Sequence, residues 1–133
     1  AVENGANPWG CTDYLNQKKK ILHTGVTVYE FVGTHSSHTK TILIDDRMSL
    51  VGSYNLDMRS TYQDTELMLA VDSEELNAVL RKEAEADMAS SRMVRKGEEP
   101  VSGEAFHEKP MGIGKMIRYS VFRIVTLPIR RFL

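Results

Sequence analysis

The sequence predicts an α/β fold, and three observations carry that prediction. Runs rich in β-branched and aromatic residues at 26–32, 38–44, 49–55 and 65–71 read as strands. Segments with apolar residues at three- and four-residue spacing flank them and read as helices. The composition is 41% hydrophobic and 26% charged with a formal net charge of -1, which fits a globular domain and excludes collagen-like or fully disordered chains. A chain of 133 residues is long enough for one domain with one core.

The elements follow in order. Residues 1–11 are rich in Asn, Gly and Pro and read as loop. Thr12 is placed to cap a helix whose stripe is Tyr14, Leu15, Lys18, Ile21 and Leu22, with Gly25 as its stop. The strand at Val26–Val32 comes next. The strands at His38–Ile44 and Ser49–Asn55 form a hairpin with Asp46-Arg47 at its tip. Such a two-residue loop opposes His38 to Asn55 and Lys40 to Ser53, which gathers four polar side chains on one face. A strand at Thr65–Val71 leads to a helix capped by Asp72 or Ser73, with Leu76, Val79, Leu80, Ala84 and Met88 on its buried face. Residues 91–114 are punctuated by Gly97, Pro100, Gly103, Pro110, Gly112 and Gly114 and read as a linker between a domain at 1–90 and a tail at 115–133.

The hairpin carries the chemistry. From His38 to Asn55 the chain reads H-x-K-x4-D-x6-G-S-x-N, which fixes His38, Lys40, Asp45, Gly52, Ser53 and Asn55. A neutral imidazole can attack phosphorus or move a proton. Lys40 and Asn55 supply a charged and a neutral donor for the non-bridging oxygens of a phosphate, and Ser53 adds a hydroxyl. Such a set needs no metal or cofactor. Gly52 admits a close approach of backbone to a bound group. A lone H-x-K has no such meaning: His107-Glu108-Lys109 repeats it, but Gly114 stands where the aspartate belongs.

This pattern resembles the HKD signature of the phospholipase D superfamily. The continuation Leu56-Asp57-Met58-Arg59-Ser60, then Asp64-Thr65-Glu66, is similar to the cardiolipin synthase branch. The resemblance spans roughly residues 12–90. It implies part of an α-β-α sandwich with a mixed sheet. It implies a catalytic set of His38, Lys40, Asp45 and Glu66, with Lys40, Ser53 and Asn55 on the substrate phosphate. Glu66 would hold the imidazole of His38 through its other ring nitrogen, and Asp45 would serve the turn. The implied activity is phosphatidyl transfer through a phosphohistidine, with hydrolysis by the same site when water is the acceptor. The alternatives are a nuclease or other phosphodiesterase of the superfamily, and a non-catalytic fragment. Members use two such motifs, one histidine as nucleophile and the other as acid and base. This chain has one. The implied partner is a second HKD half, from a missing N-terminal part or a second copy. The chain reads as the C-terminal part, with His38 as the acid and base, and is expected to be inactive alone.

Charge and partners complete the reading. The last 19 residues hold Lys115, Arg118, Arg123, Arg130 and Arg131 and no acid, so the body is acidic and does not favour a nucleic-acid partner. In the tail Ile117, Val121, Ile124 and Val125 share a helical face, widened by Met116, Phe122 and Leu127, with Pro128 as a break. Such a basic amphipathic segment suits an anionic membrane surface, or packing against an absent half. Together with a phospholipid substrate this predicts a membrane-associated protein at the cytoplasmic face. Cys11 is the only cysteine, so no intrachain disulfide forms. No uninterrupted apolar stretch is long enough for a transmembrane helix, and no signal peptide is expected.

Overall fold

The computed structural model describes residues 1, 3, 5, 7–33 and 37–129. In chain order its elements are α1 (Pro8–His23), β1 (Val28–Phe31), β2 (Thr41–Ile44), β3 (Met48–Gly52), α2 (Met58–Tyr62), β4 (Met68–Asp72), α3 (Glu74–Ala89), β5 (Ser91–Val94), β6 (Val101–Ser102) and α4 (Ile113–Ile129). The α/β class stands. The strands form two three-stranded sheets, β1-β5-β6 and β2-β3-β4, and every pair is antiparallel where a mixed sheet was expected. The chain divides into two compact units. One spans Ser37–Ala86, and the other joins the segment before it to the segment after it.

The unit built from both ends of the chain packs α1 against α4 and carries the β1-β5-β6 sheet. Here α1 starts earlier than Thr12. Asn7 is the cap, its side chain accepting from Trp9 N and Gly10 N, and Pro8 opens the first turn. Thr12 lies buried inside the helix and donates to Pro8 O at 2.5 Å. Gly25 ends the segment with a φ of 89°, the left-handed conformation that a glycine stop supplies. The expected linker gives way to structure at its start. β5 pairs along all of β1 and buries Ser91 and Val94, because β1 would otherwise present an unpaired edge.

A charged cluster ties α1 to that sheet. Glu30 on β1 is almost fully buried and accepts from Tyr14 Oη at 2.7 Å, Lys18 Nζ at 2.5 Å and Arg92 Nε at 2.9 Å. Arg92 also reaches Glu3 at 3.0 Å. Burial alone would raise the Glu30 pKa, but the donors Lys18, Tyr14 and Arg92 outweigh it and hold the carboxyl below its ordinary range. The same burial, with the Glu30 carboxylate at its hydroxyl, pushes Tyr14 well above the ordinary tyrosine value.

The Ser37–Ala86 unit carries the motif. The β2-β3 register pairs Thr41 with Val51 and Ile44 with Met48. This is one residue away from the expected register. The reason lies in the turn: Asp45 adopts a φ of 50°, so Asp45, Asp46 and Arg47 form a three-residue loop. Asp tolerates that region better than most residues. Arg81 on α3 pins the loop by donating to Asp45 O and pairing with Asp46 at 3.4 Å. On the other side Arg47 pairs with Asp72.

β4 runs alongside β3 from Met48↔Asp72 to Gly52↔Met68. Ser73 caps α3, accepting from Leu76 N at 3.2 Å. The buried centre of α3 is Asn77, fully enclosed, with its amide donating to Met48 O at 2.9 Å. Val79 lies on the opposite side and is 61% exposed, and Met88 is also exposed, contrary to the apolar face expected. A carbonyl at the start of β3 needed a donor, and Asn77 supplies it.

Candidate functional site

All the motif residues lie in the Ser37–Ala86 unit, on both sides of the β2-β3 hairpin. His38 and Lys40 precede β2, and Ser53 and Asn55 follow β3. Strand parity therefore does not position these four. The loop geometry beyond the strand ends does. The backbone still binds Gly52 N to Lys40 O at 3.2 Å, so Lys40 opposes Gly52 rather than Ser53. At the end of β3 the chain passes close to β4. A Cβ on Gly52 would collide with Leu67 O and Met68, so the neighbouring strand itself requires the glycine.

From there the connection to β4 folds into a polar network. Ser53 N donates to Leu67 O at 3.0 Å, and Leu67 N donates to Ser53 Oγ at 3.0 Å. Ser53 Oγ donates to the Glu66 carboxylate. Asp57 caps α2, a helix absent from the sequence prediction, by accepting from Ser60 N at 2.7 Å. This aims the buried Ser60 hydroxyl inward, where it also binds Glu66 and accepts from Asn55 Nδ2 at 3.4 Å. Glu66 is thus the centre on which Ser53, Ser60 and, through Ser60, Asn55 converge. These two hydroxyl donors, followed by the charges of Lys40 and Arg59, hold its carboxyl below the ordinary glutamate range. Arg59 is itself paired with Asp64 at 2.9 Å.

His38 is exposed and meets Lys40: Nζ lies 2.6 Å from Nε2 and 3.1 Å from the His38 carbonyl oxygen. A lysine ammonium can only donate, so in this contact Nε2 has the acceptor role. The expected hydrogen bond from His38 to Glu66 is not among those of the described residues. Glu66 is occupied by Ser53 and Ser60 instead, because the β3-β4 connection brings both hydroxyls to it. Asp45 stands apart at the hairpin tip, where its backbone shapes the turn. Ser60 is the site residue that sequence reasoning passed over. It stood in the N-L-D-M-R-S run, and its signal was Asp57 three residues earlier, the spacing of an N-cap to the amide it holds. Among the described residues, no group of three or more His, Cys, Asp or Glu could hold a metal ion.

Two hydroxyls and, through one of them, an amide converge on the Glu66 carboxylate, and an amine stands beside His38; donors of these kinds are able to bind phosphate oxygens. Residues 4–88 match the family described as "Cardiolipin synthase, PLD-like domain". The chain belongs to this phospholipase D-like family, in its cardiolipin synthase branch. It is 42% identical over 74 residues to cardiolipin synthase A of Wigglesworthia glossinidia brevipalpis, covering 56% of this chain and 14% of that protein. It is 40% identical over 75 residues to the Erwinia tasmaniensis cardiolipin synthase A, covering 56% and 15%. It is 33% identical over 92 residues to that of Yersinia pseudotuberculosis, covering 69% and 17%. The chain thus spans only about a sixth of the length of the curated relatives it matches. No solved structure matches it.

Proposed function

We propose that this chain supplies one half of a phosphatidyl-transfer site acting on phospholipids at a membrane surface, on its cytoplasmic face. The observation that carries the reading is the network centred on Glu66, which fixes Ser53 and Asn55 and is coupled electrostatically to Lys40, the partner of His38. Lys40, Ser53 and Asn55 would take the non-bridging oxygens of the substrate phosphate. Glu66 would act as a positioning residue for Ser53 and Asn55 rather than for the imidazole. Asp45 serves the turn.

The reaction would run in two steps. A histidine of the second motif half attacks phosphorus, forming a P–N bond as the bond to the leaving oxygen breaks, and His38 gives that oxygen a proton. His38 then removes a proton from the incoming alcohol, whose oxygen displaces the histidine and breaks the P–N bond. An Nε2 able to accept from Lys40 is the form His38 would need as a base. As substrate enters, Lys40 would turn from Nε2 to the phosphate, and Nε2 would take up a proton from solvent before giving it to the leaving oxygen. The second half would come from elsewhere in a longer protein or from a second copy. The chain spans 14–17% of the three named relatives, which supports a site completed from outside it.

The test is rapid quench of the complete gene product with labelled phosphatidylglycerol and, separately, labelled single-stranded DNA. The proposal expects label transfer from the lipid only, lost in His38→Ala. Transfer from the DNA alone would assign the site to a nuclease. The 133-residue chain held as a monomer should show no turnover, and robust turnover by the monomer would refute the half-site reading.

A further inference from the structure

The outer surface of α4 is inverted relative to a helix that packs its apolar face inward. Toward α1 it presents polar contacts. Asn16 Nδ2 donates to Arg123 O at 3.0 Å and to Thr126 Oγ1 at 3.2 Å, and Arg123 Nε donates to Asn16 Oδ1 at 3.1 Å. Tyr119 and Thr126 are the buried residues of the helix, and Phe122 meets Trp9 edge to face at 4.7 Å. The opposite side is open and, apart from the exposed Ser120, apolar. Ile113 is 78% exposed, Ile124 73% and Ile117 60%, and Met116, Val121 and Leu127 are also exposed.

On a helical wheel these six residues form one arc opposite Tyr119 and Thr126, and Arg118 and Arg123 stand at its two borders. No Asp or Glu occurs from residue 109 onward. Among the described residues no helix is long and apolar enough to cross a membrane, and α4, with 17 residues, is about 25 Å long.

We propose that α4 lies in the plane of an anionic lipid bilayer, with the Ile113–Ile117–Ile124 arc among the acyl chains and Arg118 and Arg123 at the headgroups. A wide apolar arc bordered on both sides by cations, with no acid nearby, complements an interface of acyl chains below and negative headgroups beside. A water-facing helix would gain nothing from this distribution, and a protein partner would not require cations at both borders. The proposal rests on the geometry of α4 alone and not on the chemistry of His38. Loss of lipid binding and loss of phosphatidyl transfer are therefore separate results.

The experiment is co-sedimentation of the 133-residue chain with vesicles of phosphatidylcholine, alone or mixed with phosphatidylglycerol. Binding to the mixed vesicles is expected to exceed binding to phosphatidylcholine by at least ~10-fold and to weaken with salt. The double variant Ile117→Glu, Ile124→Glu, with helix content checked by circular dichroism, should lose at least ~10-fold. Arg118→Gln, which leaves the apolar arc whole, should lose several-fold on the mixed vesicles only. Equal binding of the folded double variant overturns the proposal. So does a wild-type dimer in sedimentation velocity that the double variant dissolves, since the arc would then be a protein interface.

Discussion

Glu66 sits where two hydroxyls from different parts of the β3-β4 connection meet, and its environment defines what it can do. A carboxylate that accepts from Ser53 and Ser60 holds both hydroxyls in place, and in the proposed site these are groups that position the phosphate donors. Ser60→Ala removes one of those donors and the acceptor of Asn55. Transfer by the complete gene product should fall about tenfold, chiefly in kcat, with little change in the thermal midpoint. Steady-state kinetics beside a melting curve checks both. Gly52 is the contrasting case, since its need is steric. Gly52→Ala brings a methyl against Leu67 O, and unfolding in urea should show a loss of about 1–3 kcal/mol.

At the scale of elements, caps and turns decide more than hydrophobic runs do. Asn7→Ala should cost about 1 kcal/mol, because Asn7 accepts from two amides of the first turn of α1. Thermal unfolding measures it directly. The strands at 28–31, 41–44, 48–52 and 68–72 were legible because β-branched and aromatic residues cluster there, although their ends extended too far. The hairpin was legible and its register was not. Register depended on whether Asp45 would take a positive φ, and that choice is fixed by Arg81 and Asp72, residues far off in sequence. The start of α1 was legible in Asn7-Pro8, a cap followed by proline at the first helical position, but the Gly- and Pro-rich composition masked it. The strand at 91–94 was hidden among turn-forming residues, and only the need of β1 for a partner reveals it. In the site, the residue types were legible from their spacing. The contacts were not, because His38, Lys40, Ser53 and Asn55 all lie beyond the strand ends. Arg130 and Arg131, counted in the tail's charge, lie outside the described residues.

For the whole molecule, stability in acid should follow Glu30. Its native pKa is lowered, so the unfolded chain takes up the proton first as pH falls. The Glu30 contribution is therefore complete above the ordinary glutamate range and is lost as pH drops through that range to the lower native value. Glu30→Gln leaves Lys18 and Arg92 without their shared carboxylate and should cost about 3 kcal/mol at neutral pH. The same variant should flatten the acid limb of a pH-stability profile measured by urea unfolding. The proposed function rests on the other unit, which holds the donor network around Glu66 and lies within the family match over residues 4–88. The most direct test is phosphatidyl transfer by the complete gene product, comparing wild type with Lys40→Ala and His38→Ala. Each substitution should lower kcat by roughly 10²–10⁴ while the protein stays folded. Full activity in either folded variant would contradict the assignment of the site.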